Sequence, residues 1–570
     1  MTWWKEGIVY QIYPRSFADS TGNGVGDLRG IISKLDYLVE LGVDIVWLNP
    51  IYQSPNDDNG YDISDYDAIM AEFGTMADFD ELLAGLHQRG IRLIMDLVVN
   101  HCSDEHPWFV SSRANPTGPY RDYYFWRDGD QDRAPNNWLS VFSGSAWEFD
   151  PASKQYYLHL FSKKQPDLNW ANPDLRQDIY RMMRRWFDKG VDGFRMDVIN
   201  MISKHPHLPS VGDEIQLSWG GEYFINGPKL HDYMQEMHRE VLQHYDCMTV
   251  GECFDVDIEQ GKQLVGADRN ELQMIFQMEH MALDHGPAGK WDAQATWSRV
   301  ALKSILKRWI EGLDGIGWNS QFWMNHDQPR AVSRFGNDQS FRIESAQALA
   351  AVTLTLPGTP YIYMGEEIGM TNVQYPIEAY RDLEIINWYR EQLAQGRDPV
   401  QLLTSIHRMG RDNARTPMQW TDGPQAGFTT GMPWLRVNPN FAQINVAAAQ
   451  AEEQGVWPWY QRLIALRKVR KTLVYGHYES FMDSSEQVFA YRRRDANGDF
   501  LVLVNLSDQP ADLTLPEPVR RDDWHLVMTN RGPADQPSRP NLAQPSVWLQ
   551  YLSPWQAVVA ERPLGVNNGT

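Results

Sequence analysis

The sequence predicts an α/β protein: a (β/α)8 TIM barrel, with an inserted subdomain after the third strand and a C-terminal antiparallel β domain. Three observations predict it. Eight short, near-continuous apolar runs recur along the first two-thirds of the 570 residues, the pattern of strands buried on both faces. Amphipathic stretches lie between them, the alternation of a parallel sheet wrapped by helices. The last hundred residues switch to short alternating stretches with tight turns, the pattern of antiparallel strands.

The eight runs are 7–13, 43–50, 91–99, 191–198, 248–252, 272–277, 318–325 and 360–364. After the first run, Leu28, Ile31, Ile32, Leu35, Leu38 and Leu41 fall at helical spacing, with Asp27 placed to cap them. Residues 78–88, 175–188, 229–243 and 342–354 carry the same pattern. Residues 103–172 are rich in Trp, Tyr, Asp, Pro and Gly and are too long for a βα loop, so they read as a subdomain over the barrel mouth. Residues 366–455 read as similarly irregular, and a final helix runs over about 457–472. Gln487–Tyr491 and Phe500–Val504 flank the Asn497-Gly498 turn. The domains expected are therefore 1–102 with 173–473 for the barrel, 103–172 for the insertion and 474–570 for a C-terminal β-sandwich.

Composition narrows the function. With 74 acidic and 52 basic residues the formal charge is −22, a surface that repels phosphate backbones and argues against nucleic acid. No apolar run reaches the length of a membrane span, and the N-terminus lacks a charged segment followed by an apolar one. Three cysteines make no disulfide framework. The expectation is a cytoplasmic protein, a monomer or small homo-oligomer, with neither nucleic acid nor membrane as partner. Aromatic residues make up 12%; they pack cores, and they also form platforms for sugar rings.

In such a barrel the active site lies at the C-terminal strand ends. The third strand ends in Asp96…Asn100-His101, the fourth in Arg195-Met-Asp197, the fifth in Gly251-Glu252 and the seventh in Asn325-His326-Asp327; Asp58 and Tyr61 follow the second. Singly, an Asp at a strand end is as well explained as a helix cap. Together they crowd carboxylates on one rim. Metal-assisted hydrolysis would call for His-x-His or His-Glu-x-x-His, and neither occurs. Glycoside hydrolysis needs one ionised and one protonated carboxyl group. Arg195, two residues from Asp197 on the same strand face, suits an ionised nucleophile. Glu252 has no basic neighbour in sequence and suits the acid/base. Asp327 would hold sugar hydroxyls.

These residues resemble the four signature regions of the α-amylase superfamily, glycoside hydrolase family 13: Asp96-Leu-Val-Val-Asn-His101, Gly193-Phe-Arg-Met-Asp197, Val250-Gly-Glu252 and Asn325-His-Asp327. Within it the chain is similar to the oligo-1,6-glucosidase subgroup along nearly its whole length, notably at Ser54–Ser64, Gln165–Trp170, Gly365–Asn372 and Arg411–Trp420. The resemblance implies a retaining, exo-acting α-glucosidase that hydrolyses terminal α-1,6 bonds of short isomalto-oligosaccharides. Asp197 would be the nucleophile, Glu252 the acid/base and Asp327 the transition-state stabiliser. Arg195 would orient Asp197. His101 and His326 would bond the sugar before the cleaved bond, Asp58 paired with Arg411 would hold its non-reducing end, Tyr61 would stack on it and Phe161 would wall the pocket. Val198 follows the nucleophile; the resemblance links Val there to α-1,6 and Thr to α-1,4 cleavage, and as a β-former Val198 also simply suits a strand.

Other activities share this scaffold: α-1,4-glucosidase, glucosyl transfer, sucrose isomerisation and trehalose-6-phosphate hydrolysis. Residues 282–289 depart from the charged loop of sucrose isomerases. Catalytically dead, membrane-anchored transporter-associated homologues lack the carboxylates kept here. No cofactor is expected for catalysis. Asp19, Thr21, Asn23, Val25 and Asp27 resemble the front of a calcium loop, a candidate for structural Ca2+ or Mg2+, but position 12 is Gly30 where a bidentate Glu would stand. The bland alternative is a Gly-rich turn held by its own hydrogen bonds.

Overall fold

A computed structural model of the chain describes residues 2–129, 133–213, 216–287, 289–292, 296–517, 519–520, 523–531 and 548–562. Eight strands form the barrel sheet: β1 (Val9–Ile12), β2 (Ile45–Leu48), β3 (Arg92–Leu97), β4 (Gly193–Met196), β5 (Met248–Cys253), β6 (Met274–Gln277), β7 (Ser320–Gln321) and β8 (Thr359–Tyr363). All eight expected strands are present, in the order β6-β5-β4-β3-β2-β1-β8-β7, and every pair is parallel. Their residues are buried on both faces almost without exception, which is why they read as continuous apolar runs. No backbone ladder joins β6 to β7. A side chain crosses that seam: Ser320 Oγ donates to the Ile275 carbonyl at 2.7 Å.

Helix boundaries follow local capping. Asn172 accepts from the N–H groups of Asp174 and Leu175 to start the helix Pro173–Lys189, and Gly190 at φ 110° ends it. Thr75 and Asp78 form a capping box for Met76–Gln88. Asp27 caps the next turn through Gly30 N–H at 2.6 Å, as its position suggests. The helix expected over 28–41 is broken into Leu28–Ile32 and Leu35–Leu41. Ser33 Oγ bonds the Gly30 carbonyl at 2.6 Å between the two pieces, the local competition that interrupts helices.

The segment 103–172 holds a helix, Pro107–Ala114, and a three-stranded antiparallel sheet of Trp126–Asp128, Gln155–Leu158 and Trp147–Asp150. The segment 366–455 is more regular than the sequence reading has it, with helices Leu383–Ala394 and Pro399–Met409. Only Ile385 is buried in the first of these, so it left no apolar stripe to read. The C-terminal region is antiparallel: β9 (His477–Phe481), β10 (Val488–Arg494), β11 (Asp499–Asn505), β12 (His525–Thr529) and β13 (Ala557–Glu561) run in the order β9-β10-β11-β13-β12, beside a two-stranded sheet, Ala511–Asp512 with Tyr551–Leu552. Among the described residues no helix is long and apolar enough to cross a membrane.

Candidate active site

Parallel register decides which side chains meet. Arg195 in β4 is opposite Asp96 in β3 and Val250 in β5. Because side chains repeat every two residues, Glu252 comes level with Asp197 at the C-terminal rim. Arg195 is fully buried and touches all three carboxylates: its Nη1 donates to Asp96 Oδ1 at 2.6 Å and to Asp197 Oδ1 at 2.8 Å, and its Nη2 is 2.6 Å from Glu252 Oε2. Sequence reasoning left Glu252 without a basic neighbour; the fold supplies one across the strand.

Asp58, Tyr61, His101, Phe161, Asp197, Val198, Glu252, Asp327 and Arg411 all line one cavity of about 1010 Å3. Nine of the eleven catalytic and sugar-contacting candidates thus converge. Arg195 and His326 lie beneath the cavity wall, both with 0% exposure. His326 is sandwiched: its ring stacks on Tyr61 at 5.2 Å, and Nδ1 faces the amide nitrogens of Gln11 at 2.9 Å and Asn49 at 3.4 Å. Amide N–H groups donate, so Nδ1 accepts and Nε2 carries the proton. That Nε2 is 3.0 Å from Asp327 Oδ2 and 2.7 Å from the Tyr61 hydroxyl.

Arg411 closes the far end. It is within 3.5 Å of Asp58, 3.2 Å of Asp327 and 2.5 Å of Asp382. Arg415 Nη2 donates to Asp327 Oδ1 at 2.7 Å, and its Nε donates to the His326 carbonyl. Asp382 and Arg415 were not picked out from the sequence. Arg415 sits in the Arg411–Trp420 stretch and was available there; Asp382 had no signal, since it also caps the helix behind it through Glu384 N–H. Gln165 Nε2 reaches Asp58 Oδ2 at 3.1 Å and His101 Nε2 at 3.3 Å, tying the inserted subdomain to the rim. Phe161 packs on His101 at 4.9 Å and Phe142 at 5.7 Å.

Burial sets the protonation of the pair. It pushes Asp197 well above the usual carboxylate range; Arg195 opposes this, while Glu252 and Asp96 add to it. Burial likewise raises Glu252, opposed by Arg195 and reinforced by Asp327. The sequence reading has Arg195 holding Asp197 down; in the folded protein burial outweighs it. Two interacting carboxyls titrate as a unit; burial raises both, Asp197 the more strongly, and Arg195 opposes the rise at each. Arg195 Nη1 donates a hydrogen bond to Asp197, whereas Nη2 makes a close ionic contact with Glu252. Burial would raise Asp327 too, but His326, Arg411 and Arg415 outweigh it and hold Asp327 well below the usual range. Burial lowers His101 to about 4, so it is neutral. Burial lifts Asp58 to about 7 despite Arg411 and Arg415.

Val198 is not in the strand. β4 ends at Met196, and Val198 adopts φ 35°, ψ 41°. A β-branched residue is rare in this left-handed region and strained there, so β-propensity does not explain it. The turn aims the Val198 N–H at Glu252 Oε2, 3.4 Å away.

Comparison with known proteins fits this geometry. Residues 11–476 match the alpha amylase catalytic domain. The chain belongs to the alpha-amylase family. It is 55% identical over 532 residues to an oligo-1,6-glucosidase of Parageobacillus thermoglucosidasius, covering 93% of this chain and 94% of that one. Among solved structures it is similar to a trehalose-6-phosphate hydrolase of Bacillus licheniformis (TM-score 0.90, 43% identity, 98% of this chain and 99% of that one). It is equally similar to an isomaltulose synthase of Klebsiella sp. LX3 (TM-score 0.92, 43% identity, 99% and 100%). Family members at this distance run different reactions on one scaffold, so the discriminating evidence is in the pocket lining.

The candidate metal loop is held by hydrogen bonds. Asp19 accepts from the N–H groups of Thr21, Gly22 and Gly24 and from the hydroxyls of Thr21 and Thr429. Asn23 accepts from Val25 N–H, and Asp27 from Ser20 and Gly30. Among the described residues no group of three or more His, Cys, Asp and Glu is arranged to hold a metal. Asp19, Asn23 and Asp27 thus hold the turn with their side-chain oxygens, and no step of the reaction is assigned to it.

Proposed function

We propose that the protein is a retaining, exo-acting α-glucosidase that removes terminal glucosyl units from α-1,6-linked isomaltose and short isomalto-oligosaccharides. The observation that carries this reading is the Asp197–Arg195–Glu252 arrangement, whose two carboxyls line one cavity. Glu252 gives its proton to the glycosidic oxygen as the C1–O bond breaks, and Asp197 bonds to C1 as a β-glucosyl ester. Water then adds to C1, its proton passes to Glu252, Asp197 leaves as a carboxylate, and α-glucose is released. Asp327, kept ionised, offers its charge to the developing oxocarbenium ion. The Asp58–Arg411 pair closes the pocket beyond the first glucose, which favours cutting single units from chain ends.

The α-1,6 preference rests on Val198 in the cavity wall beside Asp197 and on the 55% identity to an oligo-1,6-glucosidase. Hydrolysis of trehalose 6-phosphate is disfavoured by charge. Every Lys and Arg among the described lining residues is already held: Lys290 by Glu384 at 2.7 Å, Arg308 by Glu279, and Arg411 by Asp58, Asp327 and Asp382. A phosphorylated leaving group would meet Asp255, Asp257 and Glu259 in the same lining. Three free, buried cysteines suit the reducing cytoplasm. Incubation with isomaltose, maltose, sucrose, trehalose and trehalose 6-phosphate, with products separated by chromatography, tests the reading. Glucose released fastest from isomaltose supports it; trehalose 6-phosphate as the best substrate, or isomaltulose formed from sucrose, overturns it.

A further inference from the structure

Gln328 follows Asp327 beyond β7, is half-buried and lines the catalytic cavity. The two polar atoms of its amide have different surroundings. Arg334 Nη1 lies 2.6 Å from one of them. A guanidinium donates and cannot accept, so that atom is the carbonyl oxygen, Oε1. The other atom, Nε2, has no hydrogen-bond partner among the described residues, and it is not one of the buried unpaired atoms, so solvent reaches it. Gln328 thus has its acceptor engaged inside the wall and its donor open to the cavity.

Arg334 is itself held fast. Its side chain is fully buried, as is that of Asp284. Its Nη2 donates to Asp284 Oδ1 at 2.6 Å and to the Met281 carbonyl, and its Nε reaches the two Asp284 oxygens at 3.2 and 3.1 Å. A planar fork fixed on one carboxylate has little freedom left, so the Gln328 amide is oriented before any ligand arrives.

Position around the rim says which part of a substrate this donor meets. In the strand order of the barrel, the ends of β6 and β7 face those of β2 and β3. Asp58 and His101 follow β2 and β3. The side chains of neighbours 327 and 328 also part: Asp327 turns to Arg411 and Arg415, and Gln328 turns to Arg334, beside Met281 and Asp284 of the segment after β6. We propose that Gln328 is a specificity-determining residue whose Nε2 donates a hydrogen bond to a hydroxyl oxygen of the leaving sugar, with Arg334 as its positioning residue. This rests on the glucosidase reading above, in which Asp58 and His101 hold the first glucose. A donor fixed in this way rewards a leaving group that carries an oxygen there and penalises one that lacks it.

Gln328→Met removes the amide, keeps the length of the side chain and adds no charge. The test is kcat/KM on isomaltose, whose leaving glucose carries hydroxyls, against kcat/KM on α-glucosyl fluoride, whose leaving group carries none. The expected result is a fall on isomaltose about tenfold or more beyond any fall on the fluoride. Arg334→Lys keeps a cation for Asp284 but withdraws the fork from Gln328, and it is expected to move the ratio the same way by a smaller factor. The basic limb of the isomaltose pH profile reports the catalytic acid, and it is expected to keep its position in Gln328→Met. Equal falls on both substrates overturn the proposal by placing Gln328 on the first glucose. A displaced basic limb overturns it by placing the effect on Glu252. An Arg334→Lys protein that fails to fold leaves the decision to Gln328→Met, whose side chain reaches solvent. If the unaltered protein cleaves another glucosyl disaccharide best, that result overturns the linkage in the proposed function, and the same ratio is read on that disaccharide.

Discussion

The Arg195 guanidinium lies 2.6 Å from the Glu252 carboxylate without donating a hydrogen bond to it, while its other nitrogen bonds Asp197 at 2.8 Å. One buried cation thus faces both carboxyls and opposes the rise that burial imposes on each. Register places it: Arg195 opposite Val250 brings Glu252 level with Asp197.

Removing that cation leaves three carboxylates facing each other in a dry core. Arg195→Met is expected to destabilise the fold by about 3–5 kcal/mol, the cost of an orphaned buried ion pair, read as a fall in the denaturant midpoint. Adding Asp96→Asn recovers part of the loss. Unchanged stability in Arg195→Met would show that the pairing contributes little.

Replacing the nucleophile works the other way. Asp197 has a raised pKa in the folded protein, so its ionisation weakens the fold as pH rises from the unfolded value through the folded one. An amide does not ionise. Asp197→Asn is therefore expected to abolish turnover yet stabilise the fold by about 0.5–2 kcal/mol near neutral pH, in the range of relieved active-site strain. The gain shrinks on acidification. Thermal melts of both proteins from pH 4 to pH 8 check this, and a Tm deficit that grows with pH contradicts it.

Val198→Thr keeps the branched shape and the strained backbone while adding a hydroxyl beside Glu252. The ratio of kcat/KM for isomaltose to that for maltose is expected to fall by about tenfold or more, within the 1–3 kcal/mol that one pocket group supplies. An unaltered ratio removes Val198 as the linkage determinant.

Asp19 gives a prediction about the metal loop. Burial alone would raise it, but bonds from Thr429, Gly24, Thr21 and Gly22 lower it. A lowered carboxylate stabilises above its unfolded pKa, and the contribution is lost as pH falls through the folded one. Asp19→Ala is expected to lower Tm at neutral pH, with the deficit vanishing under strong acid. A chelator is expected to leave the Tm of the unaltered protein in place. A chelator-induced fall in Tm would instead place a cation in the loop.

The eight strands were legible because each is buried on both faces, so its residues run apolar without interruption. The converging carboxylates were legible because a parallel barrel brings all its strand ends to one rim. What escaped depends on relations between segments. Contact of Arg195 with Glu252 follows from a register that neither strand encodes alone. Asp382 looks like an ordinary helix cap, and only the fold turns it toward Arg411. Val198 reads as the last strand residue, yet tertiary packing holds it at φ 35°.

Trapping the glycosyl-enzyme tests the central claim most directly. The protein is incubated with 5-fluoro-α-glucosyl fluoride, digested with pepsin and sequenced by tandem mass spectrometry. The account predicts one fluoroglucosyl unit on the Asp197 side chain and none on Glu252. A label on Glu252, or steady turnover without any covalent adduct on Asp197, contradicts it.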